Sequence, residues 1–435
     1  MFSLKKHEWK NWSHSVHCYV DRFFEPESVE EVIRIVKTHM RLGKRLRVVG
    51  AGHSFTPLVA TSESLLSLNN LSGVERINQE TRIARVRAGT KLKDLGILLN
   101  RAGYAMENLG DINEQTIAGA ISTGTHGTGK DFGSLSTQVA GISIVTGTGE
   151  YITINEKENA HLLEAVKTSL GLLGVIVSVD LNVLPAYQLI ETSYKLSFKS
   201  CIEKLDQLNE ENRNMEFFWF PYTETVQVKT NNLYFGQIKR PYQGHFFNDI
   251  VIENGLLKVM SELSRTIKVT AKYMSKLSAT GVPTGKKIGQ SHHVYQSIRS
   301  VKFQEMEYSL PAHLMKDALL AMKEKIKAER YAVNFPIECR YVQRDDIWLS
   351  PAYKQDSAFI AVHMYKGMPF EAFFHDMEKI LQSFGGRPHW GKMHTMTHDQ
   401  LEALYPQLEN FLKVRAQLDP HNIFVNDYMR RLFAL

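Results

Sequence analysis

The stretch Arg47-Val-Val-Gly-Ala-Gly-His-Ser-Phe-Thr-Pro57 constrains this chain most, because a short apolar strand runs there straight into a turn of small residues that carries a histidine. Glycines let the backbone turn sharply and gather consecutive N–H groups on one side, the arrangement that holds a pyrophosphate. Gly50, Ala51, Gly52, His53 and Ser54 are therefore candidate ligand contacts, with an anion as the expected guest. The pattern lacks the third glycine of a dinucleotide fingerprint, and the run after Pro57 does not read as an opening helix, so it is not a Rossmann unit. It is not a Walker loop either. Taken alone, the turn reads equally well as a tight hairpin with nothing bound.

A second stretch, Asn108 to Gly129, packs small and hydroxylic residues into one segment with little side-chain volume and many backbone donors, which suits a cofactor lying flat against the chain. A third, Ser169-Leu-Gly-Leu-Leu-Gly-Val-Ile176, puts glycines where a helix-like stretch from His161 to Leu170 gives way to a β-branched strand.

Around these, 435 residues are too many for one core, so two domains are expected. A hydrophobic share of 43% and a charged share of 23% belong to an ordinary globular protein. The net charge of +6 comes without dense basic runs beyond Lys286-Lys287 and Arg430-Arg431, which speaks against a nucleic-acid partner. The excess suits an anionic cofactor or a polyhydroxylated acid, or a solvated surface. Three cysteines without metal-ligand spacing suit a reducing compartment. No signal peptide is readable behind Lys5-Lys6, and the most apolar run, Leu170 to Leu184, is broken by Asp180, so a cytoplasmic protein with no transmembrane segment is expected. His389, His394 and His398 have no acidic residue among them, and no metal is expected.

The alternation of patterns predicts an edge strand at Ser15 to Arg22, a helix opened by Ser28 and ended by Leu42-Gly43, and a strand from Arg45 to Val49. Strands follow at Ser64 to Leu68, Arg76-Ile77, Arg82 to Arg87, Leu135 to Val145, Tyr151 to Ile154 and Val175 to Leu184, with a helix at Leu92 to Arg101. Beyond residue 186 the chain turns aromatic. A hairpin is predicted from Met215 to Thr230, strands at Lys302 to Tyr308 and Ala332 to Tyr341, and helices at Leu256 to Leu277, Ala312 to Glu329 and Phe370 to Phe384.

Taken together, Val48 to Pro57, Asn108 to Gly129, Gly171 to Ile176, Glu338-Cys-Arg-Tyr-Val342 and His389-Trp-Gly-Lys-Met-His394 resemble the vanillyl-alcohol-oxidase type flavoproteins, and among them the aldonolactone and alditol oxidases. The resemblance implies an α+β fold with a PCMH-type FAD-binding domain over residues 1–185, an α+β cap domain for substrate over 186–398, and a segment 399–435 that returns to the FAD domain. It implies oxidation of a carbinol in a sugar lactone by hydride transfer to the flavin, with O2 reduced to H2O2. An alditol oxidase, a dehydrogenase using another acceptor, and a flavin-binding protein with a degenerate pocket remain open.

The resemblance also assigns roles. His53 would be bonded to the 8α-methyl of the flavin, for which a neutral ring nitrogen is a competent nucleophile. Gly110 would lie beside flavin C4a and leave oxygen a path. Asp111 departs from the small residues common at that position and could touch substrate or flavin. Thr116, Gly119, Thr123, Gly124, Thr125, His126 and Ile176 would follow the cofactor. Glu338 and Arg340, two apart on a strand, share a face and by spacing alone read as an ordinary salt bridge. By resemblance Glu338 would hold substrate hydroxyls and orient Arg340, which would stabilise the oxygen that loses its proton. His363 reads as a buried core histidine or as the general base, and Lys392 would offset negative charge on the reduced flavin.

Overall fold

A computed structural model describes residues 6–237, 262, 265, 270–297 and 301–435. The first helix, Val29–Leu42, forms where the sequence predicts it: Ser28 Oγ accepts from the Glu31 amide at 3.2 Å, and Gly43, left-handed at φ 60°, donates back to His39 and Met40. The next strand, Leu46–Val49, runs parallel to Ser64–Ser67, which pairs with Arg22–Phe24 on its other side. The glycine turn thus leaves the carboxyl end of a strand in a parallel sheet, and no helix follows Pro57.

A second sheet holds five antiparallel strands in the order Tyr151–Asn155, Val139–Val145, Val175–Asn182, Ile83–Arg87 and Val74–Asn78. The strand expected from Leu135 begins only at Val139. Residues Leu135–Gln138 make a 3-10 turn instead, because Ser136 Oγ and Gln138 Nε2 donate to the carbonyls of Ile121 and Asn108 and tether the loop. The helix-like stretch 161–170 is also shorter than predicted. Only Ala160–Leu162 and Leu163–Val166 are helical, and Leu170 adopts φ 54°. Conversely, the small-residue segment contains an unpredicted helix, Ile117–Ser122, capped by Thr116 Oγ1.

The third sheet carries the chemistry-bearing residues. Its eight strands are antiparallel throughout, in the order Gly285–Gln290, Gln188–Ser197, Thr225–Leu233, Asn214–Trp219, Ile337–Val342, Ser357–Tyr365, Phe303–Pro311 and Arg387–Pro388. The strand expected from Ala332 starts at Ile337, since Pro336 has no N–H to give a ladder. Helices Met315–Glu329 and Glu371–Ser383 add Leu319, Met322, Phe373 and Met377 to the core. The helix predicted at Leu256 to Leu277 lies mostly outside the described residues, within which Ala271–Gly281 is helical.

Register decides which side chains meet. Arg340 stands opposite Glu216 on one side and Phe359 on the other, Glu338 opposite Ala361, and His363 opposite Glu305. Residues two apart on a strand share a face. Glu216, Glu305, Glu307, Glu338, Arg340 and His363 therefore all rise from one face of the sheet.

The last segment packs back on the first. The Leu46 amide donates to Ile423 O at 2.7 Å, covering the free edge of the parallel sheet. Asn426 Nδ2 donates to the carbonyls of Pro57, Leu58 and Ala60 at 2.9, 3.2 and 2.9 Å. Buried Arg47 ties three segments together through the carbonyls of Leu170, Gly171 and Phe424, and burial pushes its pKa down to about 10. Among the described residues no helix is long and apolar enough to cross a membrane.

Candidate active site

The chemistry-bearing face of the eight-stranded sheet closes a cavity of about 610 Å3 whose opposite wall is the glycine turn after Val49. Gly50, Ala51, His53, Ser54, Gly110, Asp111, Thr123, Thr125, His126, Glu338, Arg340, His363 and Lys392 all line it. A narrower arm of about 110 Å3 shares the turn and adds Gly52, Thr116, Gly119 and Ile176. Gly124 is the exception. It lines neither cavity, because its left-handed backbone, φ 72°, faces Pro351 and Thr168, so its value to the site is the turn it makes.

The turn is shaped for an anion. Among the described residues the amides of Ala51, Gly52, His53 and Ser54 donate to no protein acceptor. A Cβ on Gly50 would stand 2.5 Å from Thr116 Oγ1, so the first two glycine-bearing segments abut with no room for a side chain. Four consecutive amides without a protein acceptor among the described residues, in a turn packed tightly against Thr116, fit a pyrophosphate. Gly110 is also held by packing: a Cβ there would meet the His126 carbonyl oxygen at 2.8 Å.

His53 stacks on Trp12 with centroids 5.6 Å apart and makes no hydrogen bond among the described residues. Burial lowers its pKa to about 4, which keeps the ring neutral at ordinary pH. Lys392 contacts Glu305 and lies 5.2 Å over the Phe55 ring. Its loop bridges the sheet and the turn: His389 N donates to Glu307 O at 3.0 Å, Met393 N to Glu305 O at 2.9 Å, and Phe55 N to Gly391 O at 2.7 Å.

Arg340 sits among three carboxylates, touching Glu338 and lying 2.8 Å from Asp111 and 2.9 Å from Glu216. His363 Nδ1 lies 3.3 Å from the Pro336 carbonyl, while Nε2 faces Glu305 at 3.4 Å and Glu338 at 3.6 Å. The Pro336 carbonyl and both carboxylates only accept, so each ring nitrogen of His363 faces an acceptor.

Sequence reasoning missed Glu216, Glu305 and Glu307. The signal was there for two of them: Glu305 and Glu307 alternate with Gln304, Met306 and Tyr308 in a strand buried over most of its length, the pattern of two acids on one face. Finding Glu216 required the register. The sequence also set His389 aside for want of a neighbouring acid, but in space its donor atoms, those of His126 and the Glu307 carboxylate lie within 4.8 Å of one another. Glu307 already sits 3.3 Å from His126 Nε2.

One guanidinium cannot offset three carboxylates, and burial, against the pull of Arg340, pushes Glu216 up to about 7. Its folded pKa thus lies above the ordinary 4.5, so the stability it contributes is lost as pH rises through 7. Glu307 has the opposite sign. Burial alone would raise it, but His126 and Lys392 hold it at about 2, so its contribution is lost as pH falls toward that value. In thermal melts, Glu216→Gln should remove the wild-type decline between about pH 5 and 7 and leave the acid-side decline in place. Parallel profiles for both proteins would show that Glu216 does not titrate there.

The fold and the cavity define an FAD-binding oxidoreductase of α+β architecture, and comparison with known proteins agrees. A family model described as an FAD binding domain matches residues 20–155, and one described as D-arabinono-1,4-lactone oxidase matches residues 179–432. The chain belongs to the D-arabinono-1,4-lactone oxidase family. It is 34% identical over 426 residues to L-gulono-1,4-lactone dehydrogenase of Mycobacterium tuberculosis, covering 98% of this chain and 99% of the relative. Against L-gulonolactone oxidase of Bos taurus it is 31% identical over 435 residues, covering 98% of each. Cholesterol oxidase from B. sterolicum shares the fold, with a TM-score of 0.85 at 19% identity over 99% of this chain and 97% of that one.

Proposed function

We propose that this protein oxidises a carbinol of an aldono-1,4-lactone, with FAD bonded through His53. The observation that carries the reading is that Glu338, Arg340, His363 and Lys392 surround one cavity whose far wall is the His53 turn. Residues 1–185 with 399–435 form the FAD-binding part, and 186–398 the substrate part. FAD supplies the acceptor for the hydrogen leaving carbon.

His363 takes the hydroxyl proton, and Glu305 and Glu338, which face its Nε2, stabilise the imidazolium as it forms. Arg340 stabilises the oxygen left behind, and its carboxylate partners fix the guanidinium in place. Glu338 accepts from substrate hydroxyls, and Lys392 places a cation in the cavity wall that would offset negative charge on the reduced flavin. The neutral ring of His53, which makes no hydrogen bond among the described residues, supports the covalent attachment. The three free thiols suit a reducing compartment, and we place the protein in the cytoplasm.

Gly110 supports oxygen as the acceptor, since no side chain stands there. The second reading is a dehydrogenase: the relative from Mycobacterium tuberculosis bears that name, and the His126 carbonyl demands a glycine at position 110 whatever the acceptor. Peroxide yield with and without an artificial acceptor separates the two. The substrate is tested by anaerobic flavin reduction with gulono-, galactono- and arabinono-lactones, xylitol and sorbitol. At least one lactone should bleach the flavin faster than either polyol, and a flavin that none of them reduces overturns the reading.

A further inference from the structure

We propose that residues 9–16 form a clamp that presents the His53 ring for bond formation with the flavin, and that Asn11 and Trp12 are its positioning residues. The inference rests on the covalent reading above and names the part of the chain that lets the bond form.

The clamp takes hold on both sides of His53. The Trp12 amide donates to Gly52 O at 2.7 Å, and Asn11 Nδ2 donates to Ser54 O at 3.0 Å. Asn11, only 2% exposed, is in turn fixed by its own loop: Nδ2 shares its hydrogens with Ser13 Oγ and Ser15 Oγ at 3.1 and 3.0 Å, and Oδ1 accepts from the Val16 amide at 3.0 Å. Such a close approach needs glycine at position 52. Its φ is 68°, and a Cβ there would stand 3.2 Å from the Trp9 ring and 3.6 Å from Asn11 Cα.

The imidazole is held in another way. The Trp12 indole lies against it with planes 22° from parallel, and Trp12 is backed edge-on by Phe303 at 5.3 Å and Phe55 at 6.4 Å. Among the described residues no group bonds either ring nitrogen. A buried histidine kept for the fold alone would be secured through a nitrogen, whereas this one is secured by its backbone neighbours and by one face. Both nitrogens are left for a guest in the cavity that His53 lines.

The bond joins one of those nitrogens to the 8α carbon. An N–H and a C–H bond break as the C–N bond forms, the electron pair released reduces the flavin, and dioxygen then takes the pair and both hydrogens as hydrogen peroxide. The chain contributes orientation. In reactions between groups held together, a misplacement of about 1 Å costs about a hundredfold in rate.

The test follows the full chain in cells: synthesis is stopped, and covalent flavin per chain is read over time as fluorescence of the denatured band, beside total FAD in natively purified protein. Trp12→Leu and Asn11→Ala should bind FAD as wild type does but gain the fluorescent band at least about tenfold more slowly. Trp12→Phe, which restores an aromatic face, should recover most of the rate. A leucine variant that holds FAD and attaches it at the wild-type rate overturns the proposal, as does slow attachment that phenylalanine fails to rescue. If Trp12→Leu does not hold FAD, Asn11→Ala decides on the same readout. Loss of FAD from both variants places the loop in cofactor binding and also overturns the proposal. A wild-type band without fluorescence defeats the covalent reading instead.

Discussion

Arg340→Met should lower kcat/KM for a reducing lactone by about a hundredfold to a thousandfold, the usual cost of losing a donor aimed at developing charge. It should also weaken the fold, because the guanidinium is buried among Glu216, Glu338 and Asp111. Removing one partner from a buried ionic cluster costs about 3–5 kcal/mol, since the remaining charges stay desolvated and uncompensated. Two losses in one variant must be separated. Arg340→Lys keeps a cation but gives up the planar fork, so it should recover most of the stability and little of the rate. Adding Glu216→Gln to Arg340→Met removes one stranded carboxylate and should restore stability without restoring turnover. Denaturant melts and anaerobic reduction rates together decide. A methionine enzyme that turns over within a few-fold of wild type would remove Arg340 from the mechanism.

The second large effect is all or none. Acid-precipitated wild type should stay yellow after washing, and His53→Ala should give a colourless pellet. The imidazole is suited to the bond by what surrounds it. Burial lowers its pKa to about 4, so the ring keeps a lone pair at neutral pH, and no protein group competes for either nitrogen among the described residues. Trp12 stacks against it at 5.6 Å and restricts its plane. A colourless pellet from wild type would falsify the covalent attachment while leaving FAD binding intact.

What could be read from the sequence divides along a physical line. Local features were legible: the Ser28 cap and Gly43 stop of the first helix, the strand feeding the glycine turn, and the shared face of Glu338 and Arg340 each depend on neighbours within a few residues. The α+β class followed from the family resemblance that the glycine-bearing motifs carry. Features set by side chains reaching across the chain were not legible. The strand at 135 was lost to tethers on Ile121 and Asn108, and the strand at 332 to Pro336. Glu216 entered the site only through antiparallel register, which places it opposite a residue 124 positions away. Gly124 was read as a cofactor contact because it sits in the right segment, whereas its backbone turns it toward Pro351.

The clamp by Asn426 on the carbonyls of Pro57, Leu58 and Ala60 has a consequence for biosynthesis. Pro57 precedes Asn426 by 369 residues, so at about 5–20 residues per second the ribosome holds the nascent glycine turn without its cover for roughly 20 to 70 s. The parallel sheet likewise has an open margin beside Leu46 until Ile423 emerges. The surroundings of the glycine turn are therefore completed only at the end of synthesis, and a chain stalled before residue 423 lacks the piece that covers them.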